Sequence, residues 1–340
     1  MSKQRVIVTG AAGFIGFHLC KKLLEKQMIV YGVDCLTDYY DVALKESRLK
    51  ILHDYQNFIY SSHNIYSESD DFSDSAKEFN PEIIFHLAAQ AGVRHSIKNP
   101  DAYLQNNIIA TFNILELSRE INLSHLIIAS TSSVYGSNTE LPFKEDQRTD
   151  SQMSFYAASK KSCEVMAHSY SHIYEIPITV SRFFTVYGPW GRPDMALFKF
   201  TKRMLEGRPI DIFNNGEMYR DFTYVSDVSE SLSRLAVYPP TLEKEELLNG
   251  ESPVAAYRIL NIGNSNSVPL MDYVRALEEC LGVEAKINFK GMQQGDVPST
   301  YSDSKSLEDL IGFRPDTSIK EGVASFVEWY LKHYQHKVNS

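Results

Sequence analysis

The stretch Arg5-Val6-Ile7-Val8-Thr9-Gly10-Ala11-Ala12-Gly13-Phe14-Ile15-Gly16 restricts the possible folds of this chain more than any other. Its β-branched run predicts a buried strand, and the apolar spacing from Ile15 to Leu24 predicts a helix directly after the glycines. Glycine allows the tight turn and lets main chain approach a ligand. The first N–H groups of a helix have no intrahelical acceptor, so they offer partial positive charge to an anion. A glycine repeat alone is a weak signal, but strand before and helix after is the setting in which such a loop holds a dinucleotide pyrophosphate. Gly10, Gly13, Phe14, Ile15 and Gly16 are therefore candidate cofactor contacts.

The alternation continues through Ile29-Val30-Tyr31-Gly32-Val33, Ile83-Ile84-Phe85 and Leu126-Ile127-Ile128, with a helical pattern around Leu104 to Leu117. Strands that alternate with helices predict an α/β protein with a Rossmann-type, doubly wound parallel sheet. After Tyr187, Gly188-Pro189-Trp190-Gly191-Arg192-Pro193 interrupts regular structure. Beyond it, helices expected at Ala196–Leu205, Asp227–Tyr238 and Leu270–Leu281 are interleaved with short strand-like segments. The expected division is a cofactor domain over 1–187 and a smaller mixed α/β substrate-binding region over 188–340, some segments of which return to the main sheet. Pro239 to Val254, with the charge run Glu243-Lys244-Glu245-Glu246, reads as a solvated loop insertion.

With 340 residues, of which 43% are hydrophobic, the chain is long enough to bury a sizeable core. A formal charge of -9 and the absence of a Lys/Arg-rich block exclude a general nucleic-acid binder, so an anionic ligand must be held by local arginines and helix ends. Cys20, Cys35, Cys163 and Cys280 are scattered without metal-ligand spacing, and no metal site is expected. No apolar run approaches membrane-spanning length, and Met1 runs straight into the first strand without room for a signal peptide. The expected setting is the reducing cytoplasm, with no membrane partner.

Asp34, at the end of the second strand, can accept hydrogen bonds from both ribose hydroxyls of an adenosine and would repel a 2'-phosphate, which favours NAD over NADP. Capping of the next turn is the alternative reading. His86-Leu87-Ala88-Ala89-Gln90-Ala91-Gly92 places small residues where a flat cofactor lies against main chain, with His86 read as structural. The hydroxyl cluster Ser130-Thr131-Ser132-Ser133 precedes Tyr156 and Lys160, one helical turn apart. A tyrosine serves as a proton acceptor near neutral pH only if its phenolate is stabilised, and a lysine on the same helix face supplies positive charge for this.

The ordered set GxxGxxG, HLAA, STSSVYG, YxxxK and RFFTVYGPWGRPDM resembles the extended short-chain dehydrogenase/reductase superfamily and, within it, the UDP-glucuronate 4-epimerases. The resemblance extends to Asp38-Tyr39-Tyr40-Asp41, Gln90 to Arg94, Ala196 to Lys202, Arg220-Asp221-Phe222-Thr223-Tyr224 and Gly295-Asp296-Val297-Pro298. It implies an NAD-dependent exchange of configuration at a sugar C4 through a 4-keto intermediate. Tyr156 would be the acid/base, Lys160 would lower its pKa, and Thr131, with Ser132 and Ser133, would bond the C4 oxygen. Asn64 and Ile65 would meet the adenine, with Asn64 standing where an aspartate is usual, and Leu87, Ala88 and Ala89 would border the cofactor. Loops of sugar-nucleotide dehydratases and decarboxylases carry carboxylates that Thr131-Ser132-Ser133 lacks.

A 4-keto uronic acid loses carbon dioxide once its carboxylate rotates perpendicular to the ketone. A guanidinium gives planar two-point restraint, and Arg192 is the candidate, with Thr185 as helper and an ion pair to Asp194 as its alternative role. By resemblance, Arg94, Phe198, Lys199, Arg220 and Asp296 border the UDP-sugar, and Gln293 stands where relatives acting on neutral sugars have arginine. Two helices, around Pro100 to Ile121 and Phe155 to Tyr174, are expected to form a homodimer interface. Alternatives are a 4-epimerase of neutral or N-acetylated UDP-hexoses, a UDP-glucuronate decarboxylase, and a non-catalytic NAD-binding protein.

Overall fold

The computed structural model describes residues 3–243 and 246–338. In chain order the elements are β1 (Arg5–Thr9), α1 (Phe14–Glu25), β2 (Ile29–Val33), α2 (Val42–His53), β3 (Phe58–Ser61), α3 (Ser69–Phe79) and β4 (Ile83–His86). There follow α4 (Val93–Lys98), α5 (Pro100–Tyr103), a π-helical stretch Leu104–Ile109, α6 (Ala110–Glu120), β5 (His125–Thr131), the 3₁₀ turn Ser132–Tyr135, α7 (Phe155–Tyr174), β6 (Ile178–Phe183) and β7 (Thr185–Tyr187). The remainder is α8 (Ala196–Leu205), β8 (Ile210–Ile212), β9 (Tyr219–Tyr224), α9 (Val225–Leu235), β10 (Tyr257–Ile262), β11 (Ser267–Pro269), α10 (Leu270–Leu281), β12 (Ile287–Phe289), α11 (Lys305–Ile311) and α12 (Ile319–Val338).

Seven strands form one parallel sheet in the order β10-β6-β5-β4-β1-β2-β3. Side chains alternate between its faces, as strand geometry requires. Val6, Val8, Phe85 and Ile127 enter one core with α1 and α9, whereas Ile7, Ile84, Leu126 and Ile128 enter the opposite core with α6. Burial on both faces explains why the strands read as continuous apolar runs. The order reverses between β1 and β4, which opens a crevice at their carboxyl ends where ligands of such sheets bind.

β10, from the C-terminal half, joins the main sheet beside β6. Three strands, β11-β9-β7, and the pair β12-β8 build the second region around a core that includes Phe222, Tyr273, Phe326 and Tyr330. The stretch 239–254 is irregular wherever it is described, and Lys244 and Glu245 of its charge run lie outside the described residues. Among the described residues no helix is long and apolar enough to cross a membrane, and no cluster of side chains is arranged to hold a metal.

Candidate active site

A cleft of about 400 Å³ runs along the crevice. Gly10, Gly13, Phe14, Ile15 and Gly16 line one end, next to Asp34, Asn64 and Ile65. Leu87, Ala88 and Ala89 follow, and Thr131, Ser132, Ser133, Tyr156, Lys160, Thr185 and Arg192 line the far end. A second cleft of about 390 Å³ shares Thr185 and is lined by Arg94, Lys199, Arg203, Arg220, Asp194, Asp211, Phe213 and Asp296.

The glycine loop is shaped by close packing. Gly10 has φ +73°, and a Cβ there would fall 2.9 Å from the Ala88 nitrogen; one on Gly16 would fall 2.0 Å from the Gly10 carbonyl oxygen. Helix α1 starts on Gly13, which has no side chain to cap it, and its first turn holds no acidic residue. The amides of Phe14, Ile15 and Gly16 are thus left for an anion at the positive end of the helix dipole. Asp34 accepts from the amides of Ala12 (3.1 Å) and Leu36 (2.9 Å), so it caps the turn and still borders the cleft. Asn64 accepts from the Tyr66 amide at 3.2 Å, and its own NH₂ group makes no hydrogen bond among the described residues.

Tyr156 and Lys160 share a face of α7, whose first turn is capped by the Ser154 hydroxyl on the Ala157 amide. Lys160 is 2% exposed, yet its ammonium makes no hydrogen bond within the described protein. Burial lowers its pKa, partly offset by Cys163 and Glu164. A buried ammonium without a partner is costly unless a ligand supplies one. Together with the uncapped helix start and the Asp34 carboxylate, it fits a dinucleotide bearing a ribose near α7. Burial raises the Tyr156 pKa above that of an ordinary phenol, while the Thr131 hydroxyl and the Arg192 charge pull it down. Thr131 and Arg192 thus both offset burial at this phenol.

Thr131 also ties down its own loop, donating to the Ser133 hydroxyl (3.2 Å) and accepting from the Ser133 amide (3.2 Å). Arg192 both lines the cleft and forms the ion pair with Asp194, at 2.6 and 2.9 Å. In the second cleft Arg94 pairs with Asp296 at 3.1 Å and lies over the Phe213 ring, while Arg220 donates to the carbonyls of Tyr219 and Pro298. Burial and the Arg94 charge lower the Arg220 pKa against the pull of Asp296, as in a pocket short of negative charge.

Two expected substrate contacts lie elsewhere. Phe198 borders neither cleft: it sits on the inner face of α8, packed against Phe326, Trp329 and Tyr330. The segment resemblance cannot say which face of a helix a side chain takes, and Phe200 is the phenylalanine of α8 that meets the second cleft. Gln293 also borders neither cleft, and its buried Oε1 has no hydrogen-bond partner among the described residues. His86 is structural, as expected, held between Thr9 (2.9 Å) and Thr111 (3.1 Å) with burial depressing its pKa to about 3.

Several supporting residues escaped the sequence reading. Asn107, buried in the π-helical stretch, bonds both the amide and the carbonyl of Gln90 and donates to Ser159 at 2.9 Å. It thereby clips the 87–92 loop to the helix of Tyr156 and Lys160; as one of three consecutive amide residues, Gln105-Asn106-Asn107, it carries no signal in the sequence that singles it out. Arg48, fully buried, donates to the carbonyls of Ala12 (2.7 Å) and Trp190 (2.6 Å) and joins the glycine loop to the segment before Arg192. Beneath α7, Glu164 and Arg182, each 1% exposed, form a bidentate pair at 2.9 Å.

The chain is similar to known proteins over its whole length. "Protein CapI" of Staphylococcus aureus is 49% identical over 98% of this chain and 100% of its own length. A "Probable UDP-glucuronate 4-epimerase" of Rhizobium meliloti is 49% identical over 98% of both chains. A crystal structure of UDP-glucuronic acid 4-epimerase from Bacillus cereus, in complex with UDP-glucuronic acid and NAD, superposes with a TM-score of 0.87 at 32% identity, covering 97% of this chain and 100% of that one. The sequence profile of the NAD dependent epimerase/dehydratase family matches residues 6–249. The glycine loop, the hydroxyl turn and the Tyr156–Lys160 helix all fall within that span, and the chain belongs to the NAD dependent epimerase/dehydratase family.

Proposed function

We propose that this protein is an NAD-dependent UDP-glucuronate 4-epimerase, interconverting UDP-glucuronate and UDP-galacturonate. The observation that carries the reading is a guanidinium, Arg192, on the wall of the same cleft as Tyr156 and near enough to act on its phenol. A neutral hexose offers such a group only hydroxyl oxygens; a uronate offers a carboxylate that it can hold by a charge-assisted, two-point contact. The whole-chain likeness to the Bacillus cereus enzyme supports the same substrate.

NAD, held by the glycine loop, Asp34 and Lys160, supplies the reversible removal of hydrogen from C4. Tyr156 takes the proton of the C4 hydroxyl and gives it back to the oxygen after the ketone has turned over, so no net proton is consumed. Thr131 bonds the same oxygen and keeps it at the tyrosine. The Lys160 ammonium stabilises the phenolate and the cofactor ribose together. Arg192, with Thr185, Ser132 and Ser133, holds the carboxylate against rotation. Arg94, Lys199, Arg220 and Asp296 receive the nucleotide diphosphate and ribose in the second cleft.

The molecule works as a homodimer in the cytoplasm. Supporting this, the faces of α6 and α7 and of the stretch joining α5 to α6 expose Leu104, Phe112, Val165 and Ile173, between 44 and 61% open to solvent. The four cysteines are free thiols, as a reducing compartment leaves them.

The test is incubation of purified protein with UDP-glucuronate, with and without added NAD, and resolution of products by anion exchange and absorbance. UDP-galacturonate without net NADH is the expected result. UDP-pentose would reassign the protein as a decarboxylase; inertness toward UDP-glucuronate with turnover of UDP-glucose or UDP-N-acetylglucosamine would reassign its substrate.

A further inference from the structure

Arg192 carries five N–H donors in one plane, and Asp194 engages a single edge of it: Nε donates to Oδ1 at 2.9 Å and Nη2 to Oδ2 at 2.6 Å. The other edge, Nη1 with the second Nη2 hydrogen, makes no hydrogen bond among the described residues, while Arg192 borders the cleft of Tyr156. Asp194 is itself held from a distant part of the fold. The Tyr39 hydroxyl donates to its Oδ2 at 3.2 Å. Tyr39 lies between β2 and α2, on the cofactor side, with its ring edge-on to Tyr40 and His95.

The position of the Tyr39 hydroxyl is narrowly defined. Gly92 has φ +109°, and a Cβ there would come within 2.7 Å of that oxygen. The hydroxyl is thus confined between the Gly92 main chain and the Asp194 carboxylate. Exposed ion pairs orient their members poorly, because both side chains keep their rotamer freedom. Here the arginine and aspartate side chains are only 21% and 27% exposed, the contact is a two-point fork, and a third group fixes the carboxylate.

Resting on the function proposed above, the geometry points to Asp194 and Tyr39 as positioning residues that lock one edge of Arg192, so that its free edge grips the sugar carboxylate at two points. Two-point contact with a fixed fork sets the plane of the carboxylate, which is the coordinate that governs loss of carbon dioxide. In the 4-keto sugar, decarboxylation breaks the C5–C6 bond. The electron pair enters the C4–C5 enolate, C5 then takes a proton, and carbon dioxide departs. The two electrons already withdrawn from C4 are left as an equal amount of NADH, with a UDP-4-keto-pentose as product. Neither Asp194 nor Tyr39 touches the reacting atoms in this scheme, so their contribution reads out in the partition between products rather than in rate alone.

The experiment compares wild type, Asp194→Asn, Tyr39→Phe, Arg192→His and the Asp194→Asn/Arg192→His pair, all NAD-loaded, on UDP-glucuronate. UDP-galacturonate, UDP-4-keto-pentose and NADH are quantified together with KM. Expected is a pentose-to-galacturonate ratio raised roughly ten- to a hundredfold in Asp194→Asn, as for a misplaced binding group. NADH should match the pentose, and Tyr39→Phe should shift the ratio in the same direction by less. The double variant should go no further than Arg192→His, because the aspartate acts through the arginine. An unmoved ratio with wild-type KM in both single variants overturns the role, as does an additive shift in the double variant. If Asp194→Asn fails to fold, Tyr39→Phe, which deletes one oxygen, decides alone on the same criterion. A wild type inert on UDP-glucuronate would overturn the functional reading itself; a competent wild type with insensitive variants overturns only the positioning role.

Discussion

At the scale of single residues, the proposed mechanism makes the phenol of Tyr156 the group whose protonation cycles. Tyr156→Phe removes one oxygen from a side chain that otherwise packs edge-on against Tyr103. Turnover should fall about a hundred- to ten-thousandfold, the usual worth of a general acid/base. Melting temperature and NAD retention should stay unchanged, and near-normal turnover by the same assay would remove Tyr156 from its role. The neighbours of the phenol also set its working pH. Burial raises its pKa and the Thr131 hydroxyl lowers it. Loss of that bond in Thr131→Val takes stabilisation from the phenolate, so the pKa rises. The acidic limb of the kcat/KM profile should therefore move upward by roughly one to two pH units, for a bond to a charged group of about 1.5–3 kcal/mol. A limb that stays in place, with turnover merely scaled down, would mean that Thr131 only holds its loop.

Among elements, the structure spends its buried polar groups on fixing α7. Glu164 on that helix takes both arms of Arg182 from β6 and the Ser130 hydroxyl from β5, so the helix of Tyr156 and the strand leading to Thr131 move as one. A second clamp joins the loop before α7 to the returning strand β10. Glu145, 5% exposed, accepts from the Asn261 amide at 3.0 Å, and burial pushes its carboxyl up to about 7. A carboxyl neutral in the fold and ionised when unfolded gives stability that is complete below its ordinary value of 4.5 and is lost as pH rises toward 7. Glu145→Gln cannot ionise and keeps the acceptor. Both proteins share the opposite slope of buried neutral histidines such as His86, so the expected outcome in melting experiments is a difference: over that window the wild type should lose about 3 kcal/mol relative to Glu145→Gln. Parallel pH slopes for the two proteins would show that Glu145 is charged in the fold.

For the whole molecule, α6 and α7 present apolar side chains to solvent. Phe112 on α6 and Val165 on α7 are 44% and 59% exposed. A symmetric four-helix contact would bury them, and it is the same pair of helices that the sequence resemblance assigns to a dimer. Phe112→Glu combined with Val165→Lys should convert a dimer to a monomer in sedimentation velocity while leaving far-UV circular dichroism intact. A wild type that already sediments as a monomer would refute the assignment. Because α7 bears both the exposed Val165 and the site residues Tyr156 and Lys160, the monomer is also expected to bind NAD less firmly, readable as cofactor lost on gel filtration.

Features local in the chain were legible from it. The glycine loop, the parallel sheet and the Tyr156–Lys160 face follow from spacing alone, because strand alternation, helical periodicity and the φ demands of glycine act over a few residues. Helix α7 spans the expected Phe155–Tyr174, and every expected cofactor residue borders the cleft. What the tertiary structure decided is what joins distant segments. The segment resemblance named Phe198, but only packing against α12 showed that its ring turns inward. Nothing along the chain linked Tyr39 to Asp194 across 155 positions, or Arg48 to Trp190 across 142. A hydrogen bond depends on approach in space, which sequence spacing does not encode beyond a turn or a strand pair. The sequence by itself therefore determined which family this chain belongs to and which fold it adopts, and only the folded chain decided that Arg192 is held by Asp194 and Tyr39 at the wall of the Tyr156 cleft.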